Sequence, residues 1–154
     1  MLRAADLGLI VLTPEPTSLT DAYALIKCVL AGDSNEPELL FSPKLGIVVN
    51  QAWDASDAGR AHERISRVTA AFLGRALPLF GSILRDEAVR ASILQRHPLL
   101  LDRSRTPAGL GLESLAQDLR DLVDGSDEPR GPELAGIGGT GGRPAWWRRV
   151  LLRG

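Results

Sequence analysis

Three short apolar runs, each followed by a stretch with helical spacing, constrain this chain more than any other feature. Leu7–Leu12 (LGLIVL), Gly46–Asn50 (GIVVN) and Leu79–Leu84 (LFGSIL) have the length of strands rather than helices and carry β-branched members. They are largely apolar on both faces, as strands are when helices cover a parallel sheet on either side. Strands alternating with helices predict βα units, hence an α/β fold with a parallel sheet. Ligands of such sheets bind beyond the carboxyl ends of the strands. Those ends are Thr13–Asp21, Asn50–Asp54 and Leu84–Asp86.

Local chemistry sets the expected helix boundaries. Thr13-Pro14-Glu15-Pro16 cannot continue a strand. Ser18 and Asp21 fit a capping box, and the helix after them presents Ala22, Leu25, Ile26, Val29 and Leu30 on one face before Gly32 stops it. Residues 33–44 read as a loop. A longer helix is expected from Ser56 to Leu77, with Ile65, Val68, Phe72 and Leu73 inward and Pro78 closing it. Asp86 caps a short helix to about Arg96, with Val89 and Ile93 inward. Thr106 and Pro107 are the N-cap and first residue of a last helix, lined by Leu112, Leu115, Leu119 and Leu122 and ended by Gly125.

Composition narrows the class. The chain has 154 residues, 44% hydrophobic and 24% charged, which excludes disordered, collagen-like and disulfide-stapled types. Cys28 is the single cysteine, so no intramolecular disulfide can form and a reducing cytosol is the default expectation. Met1 leads into Leu-Arg-Ala-Ala-Asp without the pattern of a signal peptide, and no apolar run approaches a bilayer span. The net charge of −1 conceals an asymmetry: residues 1–142 hold 14 basic against 19 acidic groups, whereas residues 143–154 hold four arginines and no acid. The acidic body offers no electrostatic case for nucleic acid.

Residues 124–144 are rich in Gly and Pro and read as a flexible linker. Within them, Gly136–Gly142 is followed by Arg143 and Pro144 instead of the lysine and hydroxyl that a phosphate-binding loop requires, and it has no preceding strand or following helix. His62, His97 and Cys28 are isolated from one another and read as core or surface filler, so no metal site is expected. Beyond the linker, residues 145–154 form a separate element. As a helix, it groups Trp146, Trp147, Val150 and Leu151 in one apolar arc, with Arg148, Arg149 and Arg153 on the other side. Tryptophan with arginine suits an anionic membrane surface, where indoles sit at headgroup level.

The segment TPEPTSLTDAYALIK (Thr13–Lys27) strongly resembles the signature of MinD/ParA-type P-loop ATPases, and most closely the flagellar-number regulators of the FlhG/FleN/YlxH group. Ile47-Val48-Val49-Asn50 is similar to that family's strand ending in an adenine-reading Asn. Phe72-Leu73 with Leu79, Gly81, Ile83 and Asp86–Val89, and then Arg96-His97-Pro98-Leu99, resemble its later stretches. The resemblance covers about residues 3–123 and corresponds to the C-terminal half of the family domain. It implies a partial three-layer P-loop NTPase-like (Rossmann-like) parallel sheet with helices on both faces, without the N-terminal half that carries the P-loop.

By the same resemblance, Asn50 would read the adenine while Leu84 and Arg85 contact the ring through their backbone; the family usually has proline at the position of Leu84. Glu15, Thr17 and Asp21 match positions facing the nucleotide and a dimer partner. Asp21 has two readings, a pairing with the P-loop lysine and the capping box. ATP or ADP with Mg is the implied cofactor. The implied partners are a homodimer mate or the missing N-terminal half, and a membrane met through the tail. Lacking the phosphate loop, the chain by itself is expected to be inactive as an ATPase. The resemblance implies a cytoplasmic protein, peripheral at the inner face of the cell membrane, in spatial regulation of the flagellar number and placement type. The alternatives are a non-catalytic interaction module with a membrane-targeting tail, or a fragment of a ParA-like partition protein.

Overall fold

The computed structural model describes residues 7–31, 45–102 and 105–123. Three parallel strands, β1 (Gly8–Leu12), β2 (Leu45–Ala52) and β3 (Leu79–Leu84), pair in the order β1-β2-β3. Helices α1 (Pro16–Ala31), α2 (Ala55–Leu73), α3 (Glu87–Gln95), α4 (Leu99–Asp102) and α5 (Pro107–Val123) follow in turn. The α/β class, the parallel sheet and its three strands match the sequence expectation.

Alternation along the strands builds two apolar layers. Ile10 and Leu12 of β1 pair with Ile47 and Val49 of β2 and face the same side. There they pack with Ala22 and Ile26 of α1 and Ala58, Ala61 and Ile65 of α2. Val48 and Phe80 face the other side, beneath Leu115 of α5, with Leu119 and Leu122 around them. Close approach lets α5 seat on β3: a Cβ at Gly111 would lie 2.8 Å from the Ser82 carbonyl oxygen, so a side chain there would push the helix outward.

Several expected details differ. Helix α1 opens at Pro16, because proline at the first helical position has its φ already set. Ser18 therefore lies inside the helix and is not its N-cap; its Oγ accepts the Thr13 N–H at 2.9 Å instead. No capping box forms with Asp21, which is exposed. The helix buries Ala22 and Ile26 but leaves Leu25 half exposed.

Helix α2 ends at Gly74, not near Pro78, because Gly74 adopts the left-handed conformation (φ 67°) that terminates helices. Its buried stripe is Ala58, Ala61, Ile65 and Thr69, one step round from the expected face, so Val68 and Phe72 are exposed. Small side chains define that stripe because they let the helix lie close to α1 and the sheet. The Thr69 hydroxyl is satisfied by the Ser66 carbonyl at 3.2 Å. Asp86 caps α3 as expected, but Ile93 is exposed rather than inward. Strand β2 runs on to Ala52, and the short α4 was not anticipated. Thr106 accepts the Gly109 N–H ahead of Pro107, as the N-cap reading required. The expected stops Gly32 and Gly125, loop 33–44, linker 124–144 and tail 145–154 lie outside the described residues.

Candidate functional site

Parallel pairing brings the turns after β1, β2 and β3 to one edge of the sheet, together with the N-termini of α1, α2 and α3. Near the end of β2, Asn50 is half-buried and its Oδ1 accepts the Gln51 N–H at 2.9 Å. Gln51 sits in the left-handed region (φ 57°) within a register shift between Asn50 and Ala52. A non-glycine residue there costs about 1–2 kcal/mol, a strain that favours sites with a task. Ala52 then rejoins the ladder opposite Leu84.

Trp53 follows, 71% exposed, with its backbone N–H donating to Asp57 Oδ2 at 3.2 Å. Asp54 caps α2 by accepting the Asp57 N–H at 2.7 Å. Across from this turn, Arg85 donates its backbone N–H to the Ala52 carbonyl at 2.8 Å. Its guanidinium lies 4.7 Å from the centre of the Trp53 ring. The Leu84 side chain packs toward the α1/α2 layer, so only its backbone is available to the edge.

Asp86 is committed to structure. One carboxylate oxygen accepts the Ala88 N–H at 2.8 Å and the other the Ala108 N–H at 3.0 Å, tying α3 to the start of α5. The Ala108 bond, then the Ala88 bond and the Thr106 hydroxyl, hold its carboxyl below the usual carboxylate range against the opposing effect of burial.

After β1, the Thr13 hydroxyl donates to Glu15 Oε2 at 3.3 Å, and Glu15 and Thr17 are exposed at the mouth of α1. Asp21 lies further back, five residues or about 7.5 Å along the helix from Pro16. The structure thus gathers Asn50, Leu84 and Arg85 on adjoining turns, sets Glu15 and Thr17 at the neighbouring strand end, and leaves Asp21 withdrawn. Trp146, Trp147, Arg148, Arg149, Val150, Leu151 and Arg153 lie outside the described residues.

Trp53 was missed by the sequence reading. Its signal was available: a large aromatic ring placed between a strand end and a capping aspartate, where it cannot be buried. His62 is structural. It lies beside the chain entering the amino end of β3, its Nε2 2.9 Å from the Leu77 carbonyl and 3.0 Å from Ser66 Oγ. Burial lowers its pKa, partly offset by the Leu77 bond.

The described strand-to-helix turns, Thr13–Glu15, Trp53–Asp54 and Arg85–Asp86, contain neither glycine nor lysine. Phosphate loops depend on both. Among the described residues, no group of three or more His, Cys, Asp or Glu side chains could hold a metal, and no helix is long and apolar enough to cross a membrane.

Solved structures share this architecture. The MinD cell division protein of Aquifex aeolicus superposes with a TM-score of 0.56 at 21% identity, over 83% of this chain and 48% of MinD. MinD in the MinC:MinD cell division protein complex of the same organism gives 0.51 at 20% identity, over 81% and 45%. The fold is therefore P-loop NTPase-like. In sequence, the chain is 33% identical to the antiactivator FleN of Pseudomonas aeruginosa over 116 residues, which is 75% of this chain and 39% of FleN. No family model matches it. The chain belongs to the MinD/ParA-type family, in its FleN-like group. It spans about two fifths of the length of FleN and under half that of MinD.

Proposed function

We propose that this chain supplies the adenine-binding side of a MinD/FlhG-like, ATP-binding regulator acting in spatial regulation, such as flagellar number and placement, at the inner face of the cell membrane. One observation carries the nucleotide reading: Asn50, near the end of β2, and Arg85, just beyond β3, lie at the carboxyl ends of neighbouring parallel strands, which the Arg85-to-Ala52 bond joins. An amide there can donate to and accept from the edge of adenine, while the turn after β3 offers backbone groups to the ring. Glu15 and Thr17 would face the phosphates or a partner protomer, with Asp21 behind them.

The described turns lack what holds phosphates and Mg, so that end of the nucleotide falls to another segment or chain. Residues 1–123 would be the C-terminal half of the family domain, residues 124–144 a linker and residues 145–154 a membrane-contacting helix. The chain alone then does not hydrolyse ATP.

Calorimetric titration of the full chain with ADP tests the base-binding reading. Weak saturable binding is expected, lost on Asn50→Ala; equal affinity of the two proteins would overturn it. Flotation with anionic liposomes, before and after deletion of residues 143–154, tests the tail. A second reading, a non-catalytic interaction module, is favoured by the uncovered side of β1 at Leu9 and Val11. It expects partner binding that ADP does not alter.

A further inference from the structure

Trp53 has no structural reason to be tryptophan. At 71% exposure it fills no core, and an aromatic ring left in water forgoes the stabilisation that burial would give. Yet the residue is held. Its backbone N–H is bonded to Asp57, and its ring lies under the Arg85 guanidinium at 4.7 Å. The Arg85 backbone is itself bonded to Ala52, the residue before Trp53. The turns after β2 and β3 are thus fastened together at the base of the pair, and the indole plane is backed by a cation on one side and open on the other.

The surroundings narrow what such a plane would meet. It stands at the carboxyl edge of a parallel sheet, where ligands bind. Three residues earlier, Asn50 has its Oδ1 turned to the Gln51 N–H, which directs its amide Nδ2 the opposite way as a donor. A flat π-surface at the same strand end as an amide donor matches what a nucleobase offers, a face to stack and an edge to hydrogen-bond, and a two-ring base covers more of an indole than a one-ring base does.

We infer that the open face of Trp53, backed by Arg85, is a stacking platform for the purine base of a nucleotide. This rests on the base-binding reading above, extending it to a residue that the resembling stretches do not include.

The test uses the full chain carrying Trp146→Phe and Trp147→Phe, which leaves Trp53 as the sole tryptophan. ADP is titrated by indole fluorescence and by calorimetry. The expected result is a saturable change in Trp53 emission with the calorimetric midpoint. Trp53→Ala should weaken binding about 5- to 100-fold, Trp53→Phe less, and CDP should bind more weakly than ADP. Because Trp53 is exposed, unchanged thermal unfolding of Trp53→Ala separates lost stacking from lost fold. If ADP binds and Asn50→Ala weakens it, but Trp53→Ala binds like its parent, the platform is overturned and the base-binding reading stands. If ADP does not bind the parent, both fall together.

Discussion

The two sides of the sheet are built from the same kinds of residue yet finish in different states. On one side Ile10, Leu12, Ile47, Val49 and Ala52 are sealed under α1 and α2. On the other, α5 seals Val48 and Phe80, but Leu9 and Val11 of β1 stay 37% and 59% exposed. Local sequence does not separate them, since Leu9–Leu12 is apolar at every position. Connectivity does: α5 packs chiefly on β3, and Leu9 and Val11 stay partly uncovered. Among the described residues, the second side of β1 is thus left partly open. The chain accounts for 39% of FleN and 48% of MinD.

The largest expected effect is a direct contrast between the two sides. Ile47 is fully buried on the central strand. Ile47→Ala removes apolar contacts and leaves a cavity that packed neighbours cannot fill, costing about 3–4 kcal/mol. The comparable truncation Val11→Ala removes surface that is already largely wet and should cost under about 0.5 kcal/mol. Urea unfolding of both variants measures the difference. Equal losses would mean that the second side of β1 is covered after all.

Next in size is the point where the second side is anchored. Asp86 closes the N-termini of both α3 and α5, and α5 is the described cover of Val48 and Phe80. Each cap is worth about 1 kcal/mol, so Asp86→Ala should cost about 2 kcal/mol. The pH dependence has a definite sign. The folded-state pKa of Asp86 is lowered, so the unfolded chain binds the proton more readily. The stabilisation is full above the unfolded value near 4 and fades as pH falls through the lower folded value. His62, also lowered, acts in a separate window: its contribution is full above about 6.5 and declines as pH falls below that. Asp86→Ala should therefore flatten the acid limb below about pH 4 and leave the limb near pH 6 in place. Parallel stability–pH curves for the variant and its parent would refute the double cap.

Much of this was legible in the sequence. The strands stood out because short apolar runs between turn residues have few other fates, and LFGSIL was bounded to the residue. Asp86 was legible as a cap for α3, but its second bond, to Ala108, spans 22 positions and leaves no local mark. Helix faces were misread where large residues were assumed to point inward. Val68, Phe72 and Ile93 are exposed, while Ala58, Ala61 and Thr69 are buried, because close helix packing selects small side chains that hydropathy underrates. At the candidate site Asn50, Leu84 and Arg85 came from family likeness, which points only to residues within its motifs; Trp53 emerged only when its ring was found against Arg85. The Leu84 side chain, half-buried against the α1/α2 layer, pairs with Ala52 across a register shift at Gln51 that periodicity does not announce.

The smallest expected effect on stability tests the comparison most sharply. Leu9 and Val11 face the uncovered side, and β1 is an edge strand whose outer backbone groups pair with no described strand. An apolar edge of this kind templates pairing with another chain, and lysine is the residue natural sheets use to prevent it. The isolated chain should therefore self-associate, its sedimentation coefficient rising with concentration. Val11→Lys should shift it toward monomer while changing unfolding stability by no more than about 0.5 kcal/mol, because a half-wet position accepts a long side chain whose amine stays in water. Weakened association with intact stability identifies this side of β1 as the surface through which copies of the chain associate. A large loss of stability would instead mean that Val11 is packed in solution, by residues outside those described or by another element, and that the two sides of the sheet are equal.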